Sequence, residues 1–149
     1  MPLASEIARP KDEVVTIQPD ENVRNAARKM EEKEVGCIVV VEDNHPTGVL
    51  TDRDIVLHVT CKANNPREVY VEDVMSDDPV TAPVDADLSE VIEHLGDTGV
   101  RRLPLVDDDG IAGILTLDDV VMMLSVEQLS IAKDLDSISS VIKSESPPY

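Results

Sequence analysis

Two stretches of this 149-residue chain set the same residue types at the same intervals: GVLTDRD at 48–54 and GILTLDD at 113–119. In each, a Gly stands three residues before a Thr, and the Thr three residues before an Asp. The pattern carries chemistry if the Thr opens a helix. A helix N-terminus presents unpaired N–H groups and a partial positive charge, which together favour an anion. An Asp held there can accept hydrogen bonds from both hydroxyls of a ribose, as acidic residues do in dinucleotide folds. The Thr hydroxyl can reach a phosphate oxygen, and the Gly permits close backbone approach. Thr51, Asp54, Thr116 and Asp119 are therefore the first candidate site residues. A purely structural reading competes. Thr-x-x-Asp approximates a capping box, in which both side chains satisfy the free N–H groups of a helix end. One copy alone would favour capping. Two copies in the same context shift the preference toward a ligand.

The context is a repeat. At an ungapped offset of 65, Thr16 falls on Thr81, Asp20 on Asp85, Val23 on Leu88, Gly48 on Gly113, Thr51 on Thr116 and Asp54 on Asp119. Each copy opens with a short β-rich run, VVTI at 14–17 or PVTA at 79–82. A helix follows, with apolar residues at i, i+3, i+4 and i+7: Val23, Ala26, Ala27 and Met30, then Leu88, Val91, Ile92 and Leu95. Two strands come next, CIVVV and TGVLT around the turn EDNHP, or RRLPLV and IAGILT around DDDG. A second helix begins at Thr51 or Thr116. The unit reads β-α-β-β-α, an α/β (α+β) architecture written twice, with turn chemistry in the linker KANNPREVY. The expected division is 1–66, 67–128, and a C-terminal helix and tail at 129–149. In that last part Val121, Leu124, Gln128, Ile131, Leu135, Ile138 and Ile142 recur at helical spacing. This stripe is either a coiled-coil seam between protomers or a helix folded back on its own domain.

Composition narrows the function classes. The net charge of -18 opposes contact with a phosphate backbone or an anionic membrane surface. The absence of Phe and Trp removes platforms for stacking single-stranded bases. The acidity reads either as a solvated surface or as adaptation to concentrated intracellular salt. Cys37 and Cys61 lie in apolar stretches and are expected to be buried, reduced thiols. No apolar run is long enough to span a bilayer, so a cytoplasmic location is expected.

The phrases VVTIQPDENV, GVLTDRDIV, VEDVMSDDPVTA, GVRRLPLVDDDG and GILTLDDVV make the chain resemble the CBS family, over roughly residues 5–128. Tandem CBS motifs form a Bateman module, and the resemblance implies several things. Two motifs pack with pseudo-two-fold symmetry around two clefts that bind AMP, ADP, ATP, S-adenosylmethionine or related adenosyl ligands. The ribose-binding Asp matches Asp54 and Asp119, and the phosphate-side Thr matches Thr51 and Thr116. Adenine would meet the first strand near Thr16 and Thr81, and the second strand at Ile38, Val39, Leu103 and Pro104. A phosphate-binding Arg is often found where Arg101 and Arg102 stand.

In so acidic a chain, nearby arginines decide whether a nucleotide anion can enter, because charges beyond about 10 Å are screened at 0.1 M salt. Arg53, Arg101 and Arg102 are the candidates, with a fork that suits phosphate. The copies differ: Gly36 and Cys37 replace Arg101 and Arg102, while Leu117 and Asp118 replace Asp52 and Arg53. Unequal sites are expected. His45, His58 and His94 lack metal-ligand spacing, and Asp107, Asp108 and Asp109 lack the pattern of a calcium loop. No metal is expected, and no P-loop or nucleophile motif is present. The reading is a non-enzymatic sensor, a homodimer of CBS pairs acting on a partner protein. The alternative is a structural or dimerisation module whose nucleotide sites are vestigial.

Overall fold

The computed structural model describes residues 2–129, and for residues 127–129 the backbone alone. The expected C-terminal stripe beyond Leu124 lies outside the described side chains. The chain forms two compact units. One comprises the residues up to Glu13, Val80–Asp107 and those from Ala112; the other is Val14–Pro79 with Asp108–Ile111. These units are not the same division as the sequence repeat.

In the unit built on the first repeat, β2 (Thr16–Ile17), β3 (Cys37–Glu42), β4 (His45–Thr51) and β5 (Ser76–Asp77) form a sheet in the order β2-β3-β4-β5. Helix α2 (Val23–Lys33) is capped by Asn22, whose side chain accepts from the Asn25 amide at 2.9 Å. Its periodic face, Val23, Ala26 and Met30, is buried. Ala26 and Met30 pack with Ile17, Ile38, Val40, Leu50 and Val71 in one core. Ala27, on the expected face, is exposed. The β3–β4 turn is Asp43–Asn44 with φ of 50° and 65°, the pair of positive values that matches the twist of a hairpin. After β4 come α3 (Asp52–Ile55), a π-helical turn at Val56–Thr60, and α4 (Val71–Val74).

The other unit repeats this plan. Its sheet runs β1-β8-β7-β6, with β1 at Arg9–Pro10, β6 at Ala82–Pro83, β7 at Arg102–Asp107 and β8 at Gly110–Thr116. Helix α5 (Leu88–Thr98) is capped by Asp87 and ends at Gly99, φ 70°. Leu88, Val91 and Leu95 pack with Ala4 of α1 (Ala4–Ile7), and with Leu103, Leu105, Leu115 and Val120. Helix α6 (Leu117–Leu129) follows β8 directly.

The edge strands are exchanged relative to the repeat. β1 precedes the first repeat but pairs antiparallel with β8 of the second, Arg9 opposite Ile114 and Pro10 opposite Gly113. β5 precedes the second repeat but pairs with β4 of the first, Ser76 opposite Val49 and Asp77 opposite Gly48. Gly48 and Gly113 are explained by these crossings. A Cβ on Gly48 would lie 2.5 Å from Met75 Sδ and 2.9 Å from the Ser76 carbonyl oxygen; one on Gly113 would lie 2.7 Å from the Arg9 carbonyl oxygen. The close approach expected at these glycines is made by the chain's own edge strand.

The cysteines depart from expectation. Cys61 is exposed and Cys37 half-buried, both as thiols. Cys61 follows the π-helical turn, which the Cys61 amide closes by donating to Val56 O at 2.8 Å, and the apolar neighbours Val56 and Leu57 are exposed as well.

Candidate functional site

Both Gly-x-x-Thr-x-x-Asp segments sit where a hairpin's second strand passes into a helix. Thr51 is the N-cap of α3: its Oγ1 accepts from the Asp54 amide at 3.2 Å, and Asp54 Oδ2 accepts from the Thr51 amide at 2.9 Å. In the other unit Thr116 Oγ1 accepts from the Asp119 amide at 3.1 Å. Asp119 Oδ2 accepts from the Thr116 amide at 3.3 Å and from the Thr116 hydroxyl at 2.7 Å. Both segments are therefore complete capping boxes.

The helix-end amides expected to meet an anion are also engaged. Asp52 N–H donates to Gly36 O at 2.9 Å and Arg53 N–H to Asp52 Oδ1 at 2.8 Å, so Thr51 to Asp54 all have acceptors within the unit. Leu117 N–H likewise donates to Arg101 O at 2.8 Å. A phosphate here would be met by side chains and not by free backbone N–H groups. What remains is acceptor capacity: an ionised carboxylate has about four lone-pair sites. Every bond that Asp54 and Asp119 accept enters through Oδ2, and Oδ1 of each has no partner among the described residues.

The sheet brings other candidates into register. Thr16 lies opposite Val39 in the parallel β2–β3 pair, and Thr51 opposite Cys37 in β3–β4. The two threonines are thus two residues apart along β3, about 7 Å at ~3.4 Å per residue. Thr81 directly precedes β6, in which Ala82 lies opposite Leu105. Ile38 and Leu103 belong to the two cores and have no exposed surface. Strand alternation puts Val39 and Pro104 on the opposite face from them, and these are buried too. The four apolar candidates therefore divide: Ile38 and Leu103 can offer a ligand only their main chain.

Arg53 is exposed and Arg102 half-buried, and neither guanidinium has an ion-pair partner among the described residues. Arg101 lies 3.8 Å from Asp118 Oδ1, so the residue that replaces Arg53 in the second copy holds it. Two cations were missed in the sequence. Lys29, which lies on α2 immediately before the apolar Met30, donates its Nζ to the Thr16 carbonyl oxygen at 2.9 Å. Arg9 Nε lies 3.9 Å from Asp119 Oδ2, with the Arg9 side chain 55% exposed. No local pattern marks Arg9, because only the pairing of β1 with β8 brings it there. Among the described residues, no cluster of His, Cys, Asp and Glu could hold a metal ion, and no helix is long and apolar enough to cross a membrane.

Comparison with known proteins agrees with this architecture. The family described as CBS domain matches residues 4–60 and 71–126. An uncharacterized protein of Methanopyrus kandleri is 38% identical over 120 residues, covering 79% of this chain and 60% of the relative. The CBS domain-containing protein YhcV of Bacillus subtilis is 35% identical over 79% of this chain and 81% of its own length. Among solved structures, CBSX2 in complex with AMP superposes with a TM-score of 0.70 at 28% identity, over 85% of this chain and 98% of that one.

Proposed function

The chain belongs to the CBS domain family, with two motifs in tandem, and on that premise we propose that it is a regulatory module that binds an adenosine-containing ligand and conveys its presence to a partner protein. One observation carries the reading: in both units an aspartate is fixed at a helix start through one oxygen while the other is unengaged. Two lone pairs on Oδ1 of Asp54 or Asp119 suit the 2′- and 3′-hydroxyls of a ribose. Val39 and Pro104 with their neighbouring main chain, beside Thr16 and Thr81, would meet adenine. Thr51 and Thr116 with Arg53, Arg101 and Arg102 would meet phosphate. The AMP complex of CBSX2 supports AMP as the first ligand to try, with ADP, ATP and S-adenosylmethionine as the other members of the class. The module itself performs no catalysis in this reading, binds no metal and acts in the cytoplasm. Its exposed Val56, Leu57, Val121 and Val126, on the second helix of each motif, support a homodimer. A ligand can act only through a difference in affinity between two states of the module.

A melting series with AMP, ADP, ATP, S-adenosylmethionine and NAD tests this. A ligand at a hundredfold over its Kd adds about 2.7 kcal/mol, a rise of roughly 5–10 °C for a chain of this size. The discriminating variants are Asp54→Asn and Asp119→Asn. Both acids stand at the third position of a capping box, where Asn keeps an oxygen that can accept from the Thr amide but lacks the anionic charge. Each is expected to lie within about 1 kcal/mol of the parent in stability, the scale of one negative charge in a first helical turn, and at least one to weaken binding about tenfold. Ala at either position would confuse the two roles, since losing the acceptor for the Thr amide alone costs about 1 kcal/mol.

A second reading, a structural or dimerisation module with vestigial sites, is favoured by the capping boxes themselves, which already give both Thr–Asp pairs a purpose. No melting shift with any of the five ligands would leave that reading standing.

A further inference from the structure

We propose that Arg9 makes the Asp119 site the stronger of two unequal sites for a phosphate-bearing nucleotide. The inference rests on the ligand-binding reading above and adds to it a residue that sets affinity for the ligand's charge. The two units make the comparison internally controlled. Arg9 stands opposite Ile114 on the edge strand of one sheet, and Ser76 opposite Val49 on the other, and Ile114 and Val49 are one repeat apart. The chain thus sets a cation beside Asp119 and a neutral hydroxyl at the matching place near Asp54. The next residue widens the difference, Pro10 in one unit against the exposed Asp77 in the other.

The hydrogen bonds show why the Asp119 site needs that cation. Thr116 donates its hydroxyl proton to Asp119 Oδ2, whereas Thr51 Oγ1 only accepts from the Asp54 amide and has its proton left for a ligand. In the second unit the phosphate-side donor expected from the threonine is therefore engaged by the aspartate. Arg101, the adjacent cation, lies 3.8 Å from Asp118. Arg9 adds to Arg102 a second donor in place of the engaged hydroxyl, beside Asp119 itself. Its Nε is 3.9 Å from Oδ2, the oxygen that takes the capping bonds, so Oδ1 stays clear for the ribose. At 3.9 Å the contact is an ion pair and not a hydrogen bond, and the side chain is half-exposed, so turning the fork toward a phosphate breaks no buried bond. Guanidinium suits that task because its donors match phosphate oxygens two at a time.

The test is calorimetric titration of the full chain with AMP and, separately, with adenosine, for the parent, Arg9→Ser, Arg9→Lys and Ser76→Arg. The expected result is that R9S weakens the tighter AMP event about tenfold, the scale of one charge-assisted hydrogen bond. Adenosine, which has no phosphate, should change less than about twofold. R9K restores most of the loss as a point charge, and S76R tightens the weaker event. Equal weakening of AMP and adenosine would make Arg9 merely a holder of Asp119 and overturn the inference. So would R9S binding AMP as the parent does. In both of those cases the parent still binds, and the sensor reading survives. A parent that binds neither ligand removes both.

Discussion

A carboxylate at a helix start does two separable jobs, and the pairs Thr51–Asp54 and Thr116–Asp119 show how one group can hold both. The capping bonds enter through Oδ2, and the remaining oxygen faces no protein donor among the described residues. From the sequence the spacing alone revealed the acids; which oxygen each role would use depends on rotamers that spacing does not encode. Division of the apolar candidates was closer to legible. Period-two alternation along CIVVV and RRLPLV separates Ile38 from Val39 and Leu103 from Pro104, and the cores take Ile38 and Leu103. A third acid, Asp87, gives a pH prediction. The Ser89 hydroxyl, then the Ser89 amide, donate to its carboxylate and hold its pKa below the ordinary aspartate value. A carboxyl whose pKa is depressed on folding stabilises the native state at pH values above the unfolded pKa. That contribution is lost as pH falls through the folded value. Carboxyl carbon shifts followed by NMR should show Asp87 titrating below the ordinary aspartate value in the parent and rising toward it in Ser89→Ala.

At the scale of elements, the repeat foretold the β-α-β-β-α order and the helix faces, because amphipathic spacing and turn residues are local signals. The edge strands escaped it. β1 and β5 are two residues each, carry no alternation to read, and pair with strands far away in the chain. Their one trace in the sequence is the glycine each crosses. Gly48→Ala and Gly113→Ala are accordingly expected to destabilise by about 1–3 kcal/mol, the usual cost of forcing an atom into a packed site. Gly113 faces backbone and Gly48 faces a carbonyl as well as the Met75 side chain, so neither can be relieved by a rotamer change alone. Gly96 is the contrasting position. It lies inside α5, nothing stands within 4 Å of its missing Cβ, and Gly96→Ala should add about 0.5–1 kcal/mol through helix propensity. Urea denaturation of the three variants should order them G96A, parent, then G48A and G113A. A Gly48→Ala protein as stable as the parent would show that β5 does not press on β4.

For the molecule as a whole, charge and connectivity make separate predictions. A net charge of -18 destabilises the folded state by self-repulsion, and at about 1 M salt the screening length falls to ~3 Å. If the acidity is an adaptation to concentrated salt, the chain unfolds at higher urea in 2 M KCl than in 0.1 M; indifference to KCl would leave only the solvated-surface explanation. Connectivity bears on what folds. The core around Ile38 includes Val71, and its sheet ends on β5, so both lie beyond a cut at residue 66. The residues up to Glu13 belong instead to the unit built on the second repeat, where Ala4 is buried in the same core as Leu88 and Leu103. Two fragments of equal length therefore differ in kind. Residues 1–66 follow the repeat but lack a core residue and an edge strand, while carrying a helix whose core is missing. Residues 14–79 contain every buried member of the Ile38 core and all four strands of its sheet. A domain of this size buries only about 60% of its unfolded surface and is marginal, so the loss of one buried valine and a strand pairing is enough to decide between them. Circular dichroism should show 14–79 retaining helix and sheet with a cooperative urea transition, and 1–66 without one. If 1–66 folded as well as 14–79, the exchange of edge strands would contribute nothing to stability and the repeat boundary would be the true folding boundary.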